Sequence, residues 1–204
     1  MGARKKFVGI VAASALLLSG AMGTAQAAPK PVTDKNLPTM AQVAKAVPTL
    51  KKGSFFGEKL RVIDVPGKTC EATKRAKADA GRVGVYLPHP KSELGFNGMT
   101  MVQTVRFTKK AKAKQVVSDF QRFVKRCSGK SMDGTKMTSI KVPKLGDQRV
   151  GFFMRTVEEG EEMIANVIVT RRGGTVIQVF QFGAEKSDKS QTVGVTRAAL
   201  QRSR

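Results

Sequence analysis

The sequence predicts an α+β domain, in which an antiparallel sheet with a C-terminal three-stranded meander carries packed helices and is closed by one disulfide. Three observations predict it. Residues 109–126 repeat apolar side chains at helical spacing and end beside Cys127, one of the two cysteines in the chain. Residues 150–157, 161–171 and 175–182 are apolar runs of strand length, separated by the turn signals Glu159-Gly160 and Gly173-Gly174. The other cysteine, Cys70, lies in a strand- and loop-rich stretch before the helix, so a bond to Cys127 would tie the two parts together.

Residues 1–27 read as a signal peptide. Arg4, Lys5 and Lys6 precede an apolar run, and Ala25-Gln26-Ala27 supplies a small-x-small cleavage pattern. A retained anchor is the competing reading, because the run approaches the roughly 18 residues that a spanning helix needs. Gly20 and Gly23 weaken such a helix near the cleavage site. Cleavage would leave 177 residues with a formal net charge of +19, enough for one core and short for two. The polar residues 28–36, with two prolines, read as a flexible lead-in, and 37–204 as one domain. An exported chain with two cysteines allows one intramolecular pair, Cys70 with Cys127; two free thiols are the alternative.

Within 37–204 a short helix starts at Pro38, where Met40, Val43, Ala44 and Val47 fall on one face, and Pro48 stops it. A strand over 60–65 ends at Pro66-Gly67. Between them Phe55-Phe56, flanked by glycines, read either as an exposed binding tip or as a core contact folded back. The alanine-rich basic stretch 71–82 reads as a weak helix, and 84–98 as a loop around Pro88, His89 and Pro90. Residues 100–107 alternate as a strand covered on one side, with Met101, Val105 and Phe107 inward and Val102 as the exception.

The helix over 109–126 takes Thr108 as its N-cap and Gly129 as the left-handed residue after its end. At 100° per residue Ala113, Val116, Val117, Phe120, Phe123, Val124 and Cys127 fall within an arc of about 120°. Lys114, Arg122, Lys125 and Arg126 lie outside it. Residues 138–142 read as a strand ended by Pro143, and 145–148 as a turn. In the middle strand of the meander both alternating faces are apolar, which places it centrally in the sheet. Residues 190–202 close the chain as a helix packed through Val193, Val195, Ala198, Ala199 and Leu200.

The formal charge of +22 over the whole chain would attract polyanions at low salt. Outside a cell these are anionic wall polymers or a membrane surface. Nucleic acid is disfavoured, because the aromatic residues are 11 Phe and one Tyr without Trp, mostly at core-like positions, and a stacking platform needs them exposed. The candidate anion-binding residues are Lys114, Arg122, Lys125 and Arg126 on the helix and Arg171 and Arg172 at the meander turn. Catalysis is disfavoured: the single histidine, His89, stands alone between prolines, without a partner set for a triad. Glu158, Glu159, Glu161 and Glu162 surround a turn without the spacing of a calcium loop, and no cofactor or metal site is implied.

A strand leading into "A..VVSDFQRFVKRC.G", followed by "VPKLGD" and "ANVIVTRRGGTVIQVF", resembles the extracellular sensor domains of actinobacteria, including the one outside the membrane on a mycobacterial-type serine/threonine kinase. The similarity covers roughly 35–202. It implies helices on an antiparallel sheet that frames a cleft for an external ligand. Cys70, Cys127 and Leu145-Gly146-Asp147 match the pattern, and Asp147 would either shape the cleft or cap a turn. The second disulfide and the attached kinase of that relative are absent from the pattern here. The expected function is therefore a secreted, non-catalytic ligand-binding domain, engaging an anionic envelope component through its basic surface. A structural or inhibitory envelope protein that binds another protein is the alternative, ahead of an unrecognised enzyme.

Overall fold

The computed structural model describes residues 30–89, 98–132, 134–158, 161–183 and 188–203. Eight strands form one antiparallel sheet in the order β1-β4-β5-β10-β9-β8-β7-β6: β1 is Ser54–Lys59, β4 Ala80–Leu87, β5 Thr100–Arg106, β6 Ser131–Met132, β7 Thr135–Ser139, β8 Gln148–Glu158, β9 Glu161–Arg172 and β10 Thr175–Phe182. A separate hairpin, β2 (Val62–Pro66) and β3 (Thr73–Lys77), lies over one face. The helix α2 (Lys110–Cys127) shares that face, while α1 (Met40–Ala46) and α3 (Lys189–Arg202) pack on the other. Among the described residues no helix is long and apolar enough to cross a membrane.

Two cores follow from this layering. On the α2 side Val116, Val117, Phe120, Val124 and Cys127 meet Val105, Phe152, Val167, Val169 and Val176, joined by Ile63 and Val65 of the hairpin. On the other side Leu37, Val43, Leu50, Tyr86, Ile177, Val195 and Leu200 pack together. The strand β9 contributes to both, through Val167 and Val169 to one and Ile168 to the other, as its two apolar faces require. Cys70 and Cys127 are joined, with a Cα–Cα distance of 5.7 Å. Gly173, at φ +58°, and Gly174 close the meander turn, where Arg172 pairs with Thr175.

Several local expectations change. The stretch 71–82 is strand, turn and strand, not helix. Arg75 and Lys77 face solvent while Ala76 and Ala78 turn inward and Lys74, on the inward side, reaches Asp119, so the alanines serve a half-buried hairpin despite their helical propensity. Gly81 follows because a Cβ there would run into Leu60 O and Val105. The strand β1 falls where none is expected, and β4 runs to Leu87, into the stretch read as loop. The expected strand over 138–142 lies earlier, as β7. The strand β5 is also covered on the face expected to be open, where Thr100, Val102 and Thr104 are fully buried, while its other face is covered at Val105 and only half-buried at Met101. Thr108 is not the N-cap of α2: its N–H is held by Asp79 Oδ2 at 2.6 Å, and Lys109 occupies the cap position.

The lead-in expected over 28–36 is anchored from Val32, which is buried. Asp34 pairs with Arg82, and Thr33 N–H bonds Asn36 Oδ1 at 3.0 Å. The helix α1 starts with a reciprocal capping box, in which Thr39 Oγ1 accepts from Gln42 N–H and Gln42 Oε1 accepts from Thr39 N–H at 2.9 Å.

One acidic group enters the α2 layer. Asp119 is buried, and burial raises its pKa, but hydrogen bonds from Lys74, Gln115 and Arg122 outweigh it and hold the carboxyl below its ordinary value. A carboxylate with a depressed folded pKa stabilises the fold above the unfolded value of about 3.9, and that contribution is lost as pH falls through the folded value. Asp119→Asn is expected to cost about 1–2 kcal/mol at neutral pH, shrinking as the medium is acidified below about pH 4. Urea melts at neutral pH and at about pH 3 check this; an equal cost at both sets the ion-pair account aside.

Candidate ligand-binding face

Alternation along the strands assigns each side chain to a face. On the α2 side, cross-strand pairing runs Phe56 to Val85, Val85 to Met101, Met101 to Phe180 and Phe180 to Val167. One pair further along, Phe182 faces Ala165, Ala165 faces Met154, and Met163 faces Thr156. The helix and hairpin cover the end of this face that carries Val105, Val176 and Val169. No described helix or hairpin covers the other end: Val83, Val85, Met101 and Phe182 are half-buried, Met163 and Phe56 are exposed, and all six belong to neither core. Phe180 and Phe182 stack at 6.0 Å between ring centroids, and Met154 and Phe180 border the α2 core.

Two glutamines stand in this apolar floor. Gln103 and Gln178 are direct partners across β5 and β10, with their side chains on the same face. Gln178 is only 4% exposed, and its Oε1 accepts no hydrogen bond. Gln103 Nε2 has only a 3.9 Å contact to Met101 Sδ. A buried carbonyl oxygen left unpaired costs about 1–3 kcal/mol, and native proteins seldom leave one without a use. Gln178 Oε1 has almost no accessible surface, so a ligand N–H or O–H group would reach it only after the side chains above it shift, while alkyl or aromatic surface would lie on the methionines and phenylalanines around it. Methionine suits such a surface, being flexible and polarisable.

The six cations chosen from sequence are not brought together. Lys114 and Lys125 are exposed on α2. Arg122 is paired with Asp119, and Arg126 Nη2 donates to Gly67 O and Thr69 O at 3.0 Å each, fastening the loop that carries Cys70. Arg171 donates to Gln148 Oε1 at 3.0 Å and to Asp147 Oδ2 at 3.2 Å. Arg172 Nη1 donates to Leu200 O at 2.8 Å, on the opposite side of the sheet. Asp147 Oδ2 also accepts Gly173 N–H at 2.7 Å, so this carboxylate holds the meander turn. Of the acidic hairpin, Glu162 pairs with Arg155 at 2.8 Å, while Glu159 and Gly160 lie outside the described residues.

Sequence reasoning missed Gln103 and Gln178. The available signal was a glutamine at the middle of each of two apolar runs, "TMVQTV" and "TVIQVF". A polar side chain at a strand-core position needs a partner, and neither run supplies one locally.

No protein-family model matches the chain, and no curated protein matches it in sequence. Among solved structures, LpqN, described as involved in cell envelope biogenesis of Mycobacterium tuberculosis, is 12% identical at a TM-score of 0.29, covering 73% of this chain and 82% of that one. The extracellular domain of PknH from Mycobacterium tuberculosis is 12% identical at a TM-score of 0.53, covering 84% of this chain and 98% of that domain. In fold, the chain is similar to that extracellular domain, in line with the resemblance carried by its helix, cysteine and Leu-Gly-Asp pattern.

Proposed function

We propose that the chain is a non-catalytic ligand-binding domain that works outside the membrane and takes an uncharged, largely apolar ligand on the open sheet face. The observation that carries this reading is Gln178 Oε1, buried and unpartnered in a half-open floor of Met, Phe and Val side chains. The signal-peptide pattern of residues 1–27, which lies outside the described residues, the disulfide and the fold likeness support the extracellular setting. The basic surface remains as a second mode of attachment, through the exposed Lys114 and Lys125, because four of the six chosen cations bond within the fold.

Salt separates the two. The neutral aromatic amine N-phenyl-1-naphthylamine is expected to bind with little change between about 0.05 and 0.5 M salt, since Debye screening acts on charges. Met163→Glu is expected to weaken it by about three- to tenfold, and Gln178→Leu to weaken it while leaving an alkyl probe without a donor unaffected. Fluorescence titration reads both. Binding that disappears at high salt and responds to Lys125→Glu instead of Met163→Glu overturns the sheet-face reading.

A further inference from the structure

The strand β1 is the outermost described strand of the sheet on one side, and among the described residues its outward backbone is largely unpaired. Leu60 N–H donates to Gly81 O at 3.0 Å, which sets the phase of the ladder. Alternation then turns the backbone groups of Ser54, Phe56 and Glu58 toward β4 and those of Phe55, Gly57 and Lys59 away from it. Among the described residues, the one bond to an outward group of these is a 3.3 Å contact from Arg82 Nη2 to Gly57 O. Protected edges carry proline, a bulge, charged side chains or a covering loop; β1 has Glu58 and Lys59 at one end and the Asp34–Arg82 pair against Gly57. Here the centre of the edge is Phe55-Phe56-Gly57, and Phe56, 58% exposed, is the most exposed large hydrophobic side chain described.

The strand is also self-complementary. A two-fold axis perpendicular to the sheet keeps faces together, so it pairs residues of the same parity. Centred on Phe56, it sets Phe56 against Phe56 of the second copy, Phe55 against Gly57, and Ser54 against Glu58. Phe56 then falls at a position where opposite side chains approach most closely, and aromatic pairs gain there. Centred on Gly57, the same strand would put Phe56 against Glu58 and Phe55 against Lys59. The Phe55 ring leaves the edge clear, because it turns back over its own sheet: it contacts Tyr86 at 5.1 Å, and a Cβ on Gly84 would come within 2.9 Å of it.

We infer that the chain forms an antiparallel dimer with a second copy of itself through β1, in the register centred on Phe56. The sheet then runs unbroken across both protomers, and the two open apolar faces lie on the same side and abut at the Phe56 pair. This surface is independent of the proposed ligand, though the two share that residue. Six residues a side fall short of a standard interface of roughly 800 Å² per partner, so the dimer is weak. The charge of +22 repels a second copy, and association strengthens as salt rises.

The test is site-directed crosslinking of the full chain, with the native disulfide left intact. Phe56→Cys is expected to give a covalent dimer on mild oxidation, because opposed residues in this register have Cα atoms about 4.5 Å apart, within disulfide reach. Glu58→Cys alone is expected to give none, but to crosslink with Ser54→Cys when the two are mixed. Sedimentation equilibrium at about 0.5 M salt is expected to show reversible dimer for the wild type, weakened at least about tenfold by Phe56→Lys. Equal crosslinking at 56 and 58, a dimer indifferent to Phe56→Lys, or a wild type that stays monomeric near millimolar concentration each overturns the proposal.

Discussion

Replacing Cys70 and Cys127 together by alanine is expected to lower stability by about 4 kcal/mol. The bond spans 57 residues, and closing a loop of that length removes about this much free energy from the unfolded ensemble in the chain-entropy account. The folded side adds to the case. Cys127 is fully buried at the inward centre of α2, and Arg126, beside it, bonds the carbonyls of Gly67 and Thr69. The disulfide and the guanidinium therefore hold one loop at neighbouring points. Stability for a domain of this size is about 5–15 kcal/mol, so losing 4 leaves a margin. The melting temperature should fall by about 8–16 °C, and reductant should reproduce the fall in the wild type without further effect on the double variant. Calorimetry with and without reductant measures it, and a fall of less than about 3 °C would mean that the hydrogen bonds alone fix the loop.

That staple was legible in the sequence because both of its determinants are local. The helical period puts Cys127 on the apolar stripe, and two cysteines admit one pair. The meander was legible for the same reason, with three strand-length runs and two short turns. The strands β3 and β4 were not, because β3 is basic on both faces: Arg75 and Lys77 point outward, and Lys74 shares the inward face with Ala76 and reaches Asp119. Nothing in such a stretch distinguishes it from a basic helix until β2 lies beside it. The candidate face was hidden for a different reason. Gln103 and Gln178 lie far apart in the chain, and only the β5–β10 register makes them neighbours. The cations were readable as charge but not as bonds, since Arg126 and Arg172 find their carbonyl partners 59 or 57 residues away and 28 residues away.

Tyr86→Ala is expected to cost about 3–5 kcal/mol, and Tyr86→Phe about 1 kcal/mol. The ring is fully buried on the α1 side of β4, among Leu37, Val43 and Leu50, and its hydroxyl donates to Pro38 O at 2.6 Å. Phenylalanine keeps the packing and strands only that carbonyl. Alanine also opens a cavity between β4 and the segment that leads into α1, the segment that Asp34 pins to Arg82. Alkaline pH supplies a second readout. Burial, with the Asp34 charge nearby, holds the phenol above its ordinary value. An acid whose folded pKa is raised contributes stability that is full below the unfolded value of about 10 and is lost as pH climbs toward the folded one. The chain has one tyrosine and no tryptophan, so its phenolate absorbance reports Tyr86 alone. That absorbance should appear together with loss of far-ultraviolet circular dichroism as pH rises, not before it. Phenolate forming near pH 10 in a still-folded chain would show that Tyr86 reaches solvent without unfolding, and the packing account of the α1 side would fall with it.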